Sequence, residues 1–329
     1  MKKLEKVLAG SIILMLTVTM FAWSAGGQAG GPKADKDIVI AVVPKALDNM
    51  IFLDAKTGAT NKGKQLGIKV EWVGPARSDA AEQVNVIESL IERRVDGILI
   101  SCNNADALKD VIDRAVDAGI KVACFDSDSP NSKRAFYAGT DNYAFGQQAA
   151  DYMIQYLPQG GKVAILTGVL GAPNLEERIK GFRDRLAEKK SPIQVLPVQT
   201  GEDDVQKSVE VVTQFTTANP DLAGWFFDGG WPYFADPAAL PEVRNFMRRG
   251  GHIVSIDTAY PMLQYLGEDM VDVLIGQNYI KMGEDGVEML YKLIKGQDAG
   301  IPANKIYFTG SEIGTKDNWR QLRSGKDPW

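Results

Sequence analysis

The chain has 329 residues, of which 45% are hydrophobic and 24% charged, with a net charge of −5, one histidine and two cysteines. That is globular composition at a length suited to two domains. An acidic chain whose longest basic cluster is the pair Arg248-Arg249 is a poor nucleic-acid binder, and so few His and Cys supply a zinc site badly.

Lys2, Lys3 and Lys6 precede an apolar run, VLAGSIILMLTVTMFA at 7–22, and Ala22-Trp23-Ser24 places small residues around a cleavage site. Residues 1–24 therefore read as a secretory signal peptide, the run being short for a membrane span of about 20 residues. Residues 25–36 read as a flexible lead. Residues 1–24 carry three Lys and one Glu, a net +2, so their removal takes −5 to −7. With no cysteine near the cleavage site, a lipid anchor of the bacterial lipoprotein type is not expected.

Short apolar runs at 38–43, 70–73, 97–101 and 121–125 predict strands. Between them lie helical periods. Asp79 with Glu82 forms a capping box ahead of the stripe Val84, Ile87, Leu90, Ile91, and Gly119 is a helix stop. The pattern then restarts, with strands expected at 162–166, 194–197, 224–227, 253–256 and 271–275. Val205, Val209, Val212 and Phe215 give a helix between them. Continuous apolar strands alternating with helices predict an α/β protein of two doubly wound parallel-sheet lobes. Cys102 and Cys124 end strands, either as buried thiols or as one disulfide.

Ligands of such sheets bind beyond the carboxyl ends of the strands. The residues there are Asn49 and Phe52, Ser101 and Asn103, Asp126 and Asp128, Arg178, Asp228 and Trp231, Asp257, and Gln277. Asp126-Ser127-Asp128 opens like a calcium loop, but Pro130, Asn131 and Tyr137 break the pattern, so no metal is expected. No nucleophile elbow or dinucleotide fingerprint appears, so no cofactor is expected. A paired-carboxylate glycosidase using Asp126 and Asp257 stays open beside a hydroxyl-binding site. Carboxylates accept pairs of hydroxyl donors, an arginine donates in a fixed fork, and aromatic rings cover the apolar faces of a sugar. Asp141 before a helix reads as a cap or hinge residue.

Seven stretches in order, IAVVPKALDNMIF (40–52), VDGILIS (95–101), VACFDSD (122–128), AGTDN (138–142), EERIKGF (176–182), IVSIDT (253–258) and IGQN (275–278), resemble the ribose-binding-protein-like group of periplasmic sugar-binding proteins of ABC transporters. The resemblance implies sugar contacts at Asn49, Phe52, Asp126, Arg178, Asp257 and Gln277. It implies three crossings between lobes, near 140, 277 and 306, with lobes at 37–140 plus 278–305 and 141–277 plus 306–329. It also implies a periplasmic monomer that closes on a monosaccharide and presents it to a membrane permease, with a chemoreceptor as a further partner. Ser127 where ribose binders carry Arg, Ile51-Phe52 for a Phe pair, and the loop DGGWPYFADP at 228–237 depart from the ribose pattern. The Val43-Pro44-Lys45 start is closer to the rhamnose and autoinducer-2 branch, so a signal molecule or nucleoside stays open as the ligand. Asp128 is expected to act as an added hydroxyl acceptor.

Overall fold

The computed structural model describes residues 33–326. The expected signal peptide and the first part of the lead lie outside the described residues. Residues 33–36 do not form a free lead. Lys33 pairs with Asp96 at 2.7 Å and Asp35 with Lys295 at 3.0 Å, so the segment is tied to the domain behind it.

The strands are β1 (Val39–Val43), β2 (Lys69–Trp72), β3 (Gly97–Ile100), β4 (Lys121–Phe125), β5 (Tyr137–Gly139), β6 (Gly161–Thr167), β7 (Ile193–Val195), β8 (Gln199–Thr200), β9 (Leu222–Phe227), β10 (His252–Ile256), β11 (Val273–Gln277), β12 (Ile306–Phe308) and β13 (Ser311–Thr315). The helices are α1 (Phe52–Leu66), α2 (Ala80–Glu92), α3 (Ala105–Asp117), α4 (Asn142–Tyr156), α5 (Pro173–Glu188), α6 (Val205–Ala218), α7 (Pro241–Arg248), α8 (Leu263–Gly267), α9 (Tyr279–Ile294) and α10 (Trp319–Ser324). One sheet orders β12-β5-β4-β3-β1-β2, and the other β13-β11-β10-β9-β6-β7 with β8 on β6. All pairings are parallel except β11 with β13. The central strands are mostly apolar and buried because helices cover both faces.

Each lobe carries one unusually close helix pair. A Cβ on Gly58 of α1 would lie 2.0 Å from the Ile280 carbonyl oxygen, and one on Gly283 of α9 would lie 2.2 Å from that of Ala55. In the second lobe, a Cβ on Gly146 of α4 would lie 1.9 Å from the Arg178 carbonyl oxygen, and one on Gly181 of α5 would lie 2.1 Å from that of Tyr143. Glycine on both partners lets the backbones touch, which brings the helix N-termini together at the strand ends.

Asp79 caps α2 as read, accepting from Glu82 N–H at 2.9 Å. Asp141 caps α4 through Ala144 N–H at 3.0 Å, and it also lies on the first crossing, since β5 belongs to one sheet and α4 packs on the other. Two expectations shift. The strand expected at 271–275 runs Val273–Gln277, so Gln277 ends the strand rather than following it. The third crossing, expected near 306, falls after Phe308, because Ile306–Phe308 pairs with Tyr137–Gly139 on the edge that β4 leaves open. Cys102 and Cys124 are free buried thiols with sulfurs 3.8 Å apart. Among the described residues no helix is long and apolar enough to cross a membrane.

Candidate functional site

Asp126 directly follows β4 and Asp257 directly follows β10, the corresponding third strands in from the β12 and β13 edges. Both residues adopt left-handed backbone, φ 55° and φ 80°. Aspartate tolerates this conformation better than most residues, and strained strand ends of this kind concentrate at functional sites. The turn aims each carboxylate off the end of its sheet into the space between the lobes.

The two carboxylates share one hydrogen-bonded array. Ser101 Oγ donates to Asp126 Oδ2 at 2.6 Å, while Tyr279 OH and Asn174 Nδ2 donate to Oδ1 at 3.0 and 3.2 Å. Gln277 Nε2 donates to Asp257 Oδ1 at 2.8 Å and to Tyr279 OH at 3.0 Å. Lys45 Nζ reaches across to Asn174 Oδ1 at 2.7 Å. Lys45, Asp126 and Tyr279 belong to the first lobe and Asn174, Asp257 and Arg178 to the second, so the lobes meet through polar side chains. The cavity between them is about 30 Å³. Phe52 from the first lobe and Trp231 from the second both line it. Phe52 stands edge-on to Phe125 and Tyr279 at ring distances of 6.0 and 5.8 Å. Trp231 lies so close over Gly229 that a Cβ there would meet its ring at 2.6 Å.

Arg178 is only 2% exposed. Its Nε donates to Asn142 Oδ1 at 2.9 Å and its Nη1 to the Asp228 carbonyl oxygen at 2.8 Å, while Nη2 has no partner. Burial opposes its charge, but Asp228, Tyr279, Asp257 and Asp126 around it outweigh that and hold it protonated. Burial pushes the Asp228 carboxyl up to about 7, against the pull of Arg178 and of the Thr167 hydroxyl. Burial also raises Asp257, again opposed by Arg178.

Of the residues singled out in the sequence, Asn49, Phe52, Asp126, Arg178, Trp231 and Asp257 line the cavity. Ser101, Asn103, Asp228 and Gln277 stand behind it. Ser101 holds Asp126, Asn103 Nδ2 donates to the Lys45 carbonyl oxygen at 2.9 Å, Asp228 accepts from Thr167 Oγ1 at 2.9 Å, and Gln277 orients Asp257. Asp128 is not brought to the cavity. Arg134 grips both its oxygens, Nη2 at 2.5 Å and Nε on the other, so it is not available as the added hydroxyl acceptor. Lys45, Asn174 and Tyr279 line the cavity and were not expected. Asn174 precedes Arg178 by one helical turn on the same face of α5, a spacing that could have revealed it.

Two doubly wound lobes with the chain passing repeatedly between them, and a polar cavity at the facing strand ends, define the type I periplasmic binding protein class. The chain belongs to the periplasmic binding protein domain family, whose profile matches residues 40–298. It is 28% identical over 287 residues to the ribose import binding protein RbsB of Escherichia coli, covering 86% of this chain and 93% of that one. It is 29% identical over 229 residues to RbsB of Bacillus subtilis, covering 69% and 73%. Among solved structures, an ABC transporter solute-binding protein from Burkholderia graminis in complex with D-arabinose superposes with a TM-score of 0.78 at 36% identity, covering 87% of this chain and 98% of that one.

Proposed function

We propose that this protein is the solute-binding component of an ABC sugar importer, exported to the periplasm, that closes on a monosaccharide and delivers it to a membrane permease. The observation that carries this reading is the pair of left-handed strand-end aspartates, Asp126 and Asp257, in one cavity with a buried arginine and two aromatic side chains. Carboxylates and a guanidinium together match a ligand rich in hydroxyls, each of which both donates and accepts. Phe52 and Trp231 match the apolar faces of a sugar ring. The relatives named for ribose and the neighbour holding D-arabinose put neutral aldopentoses first in order of testing.

The test is titration calorimetry of residues 25–329 with ribose, arabinose, xylose, allose, rhamnose, autoinducer-2 and nucleosides. One aldose is expected to bind stoichiometrically without turnover. Asp126→Asn and Asp257→Asn should each weaken it by roughly tenfold to a hundredfold, the worth of a charge-assisted hydrogen bond. Binding of a nucleoside or signal molecule in place of every sugar overturns the ligand class. Unchanged affinity in both variants overturns the site.

A further inference from the structure

The interlobe space has a second part outside the inner cavity. An open cavity of about 770 Å³ lies at the mouth of the cleft, between Asp48, Arg77 and Ser78 of the first lobe and the segment from Thr200 to Glu210 of the second. Asp203 lines both spaces. Ser78 Oγ donates to Asp203 Oδ2 at 2.8 Å across the gap between lobes.

Both partners are held from behind. Leu47 N–H donates to the Pro75 carbonyl oxygen at 2.9 Å and Asp48 N–H to that of Ala76 at 3.2 Å, which fixes the loop carrying Ser78 to the first lobe. The turn at 201–204 is tied down by Gly201 N–H on the Thr167 carbonyl oxygen at 2.8 Å and by Asp204 N–H on that of Gly201 at 3.0 Å. Within that turn Glu202 and Asp203 are both left-handed, φ 53° and φ 58°, two consecutive non-glycine residues in a costly conformation. The side chain so presented fits against bare backbone, since a Cβ on Gly168 would lie 1.9 Å from Asp203 Oδ1. Strain at two adjacent residues needs a compensating contact, and the bond to Ser78 is one that exists only when the lobes are together.

We infer that Ser78 and Asp203 form a gate between the two spaces, which limits the ligand to a single sugar ring and slows its escape. The inference rests on the sugar-binding reading above. Without the gate, a ligand seated at Asp126 and Asp257 has a path to the outer cavity, which has room for a substituent the size of a second ring.

The probes are the monosaccharide that binds and the set of its mono-O-benzyl ethers, one for each hydroxyl. The wild type is expected to take the parent sugar and reject every ether. Asp203→Ala and Ser78→Ala are each expected to release the parent sugar about tenfold faster and to accept at least one ether at least tenfold better than the wild type. Asp203→Asn keeps an oxygen that accepts from Ser78 and is expected to reject the ethers as the wild type does. Ser78→Ala keeps every residue of the 201–204 turn and its backbone hydrogen bonds, and so separates the gate from any folding defect caused by substituting Asp203. Unchanged ether binding in both alanine variants, or a wild type that already takes an ether, overturns the gate alone. A wild type that binds no sugar overturns both the gate and the reading it rests on.

Discussion

Asp228 shows how one residue's surroundings set a measurable property of the whole protein. Its carboxyl is fully enclosed, accepts one hydrogen bond from Thr167, and leaves Oδ1 without a partner. Burial raises it from 3.8 to about 7 in the folded protein. Between those values the folded state keeps a proton that the unfolded chain has lost. The contribution to stability is therefore complete below 3.8 and is lost as pH rises through about 7. Asp228→Asn is expected to flatten this part of the melting-temperature profile, and an unaltered slope would remove Asp228 as its source. At this scale the strand-end rule made Asp126 and Asp257 legible, because their positions follow from apolar runs alone, while Arg178 was singled out on the helix that follows a strand. It misplaced Asp128, because the clamp by Arg134 six residues later depends on how the loop folds back. Tyr279, two residues past β11, was passed over because an aromatic at the start of a helix pattern reads equally well as core.

At the scale of the element, the close helix pairs explain why the site residues arrive together. α4 and α5 supply Asn142, Asn174 and Arg178, and α1 and α9 supply Phe52 and Tyr279. Gly146→Ala places a methyl against the Arg178 carbonyl oxygen, so the helices must separate. Overpacking of this kind is expected to cost about 1–3 kcal/mol in urea unfolding and to weaken sugar binding through displaced Arg178. Stability lost with affinity intact would show that Arg178 adapts independently of its helix. These close pairs were not legible in the sequence, because Gly58 and Gly283 are far apart along the chain and only packing brings them together. The edge strand Ile306–Phe308 was likewise hidden by its length and by the distance to its partner at Tyr137.

Across the whole molecule, the crossings are connected to the site by hydrogen bonds. Thr140 N–H donates to Tyr137 OH at 3.1 Å, and that hydroxyl donates to the Asp126 carbonyl oxygen at 2.9 Å. Asn142 Nδ2 also reaches Tyr137 OH, at 3.3 Å, while its Oδ1 holds Arg178. Thr140 Oγ1 donates to Gln277 Oε1 at 2.9 Å, joining the first crossing to the second. The backbone at the first crossing and the backbone of Asp126 are thus neighbours through one phenol. Tyr137→Phe strands the Thr140 N–H and is expected to cost about 1–3 kcal/mol of stability. It should also change the rate of ligand release, read by stopped-flow fluorescence. A variant as stable as wild type with the same release rate would disconnect hinge from site. Two repeating halves were legible from the alternation of strands and helices. The connections between them were not, since Thr140 and Gln277 meet only after both sheets have formed.

The exchange of strands near the C-terminus also sets the order in which the protein can be completed. The first sheet receives its edge strand from 306–308 and the second from 311–315. Helix α9, which packs on α1 and over β3 and β4, comes only after the second lobe's parallel strands. Neither lobe is therefore finished until the strands past residue 305 are added, although most of each precedes them. The half whose strands come first along the sequence is sealed nearly last, so truncation before residue 306 would leave a newly open edge in both sheets rather than in one.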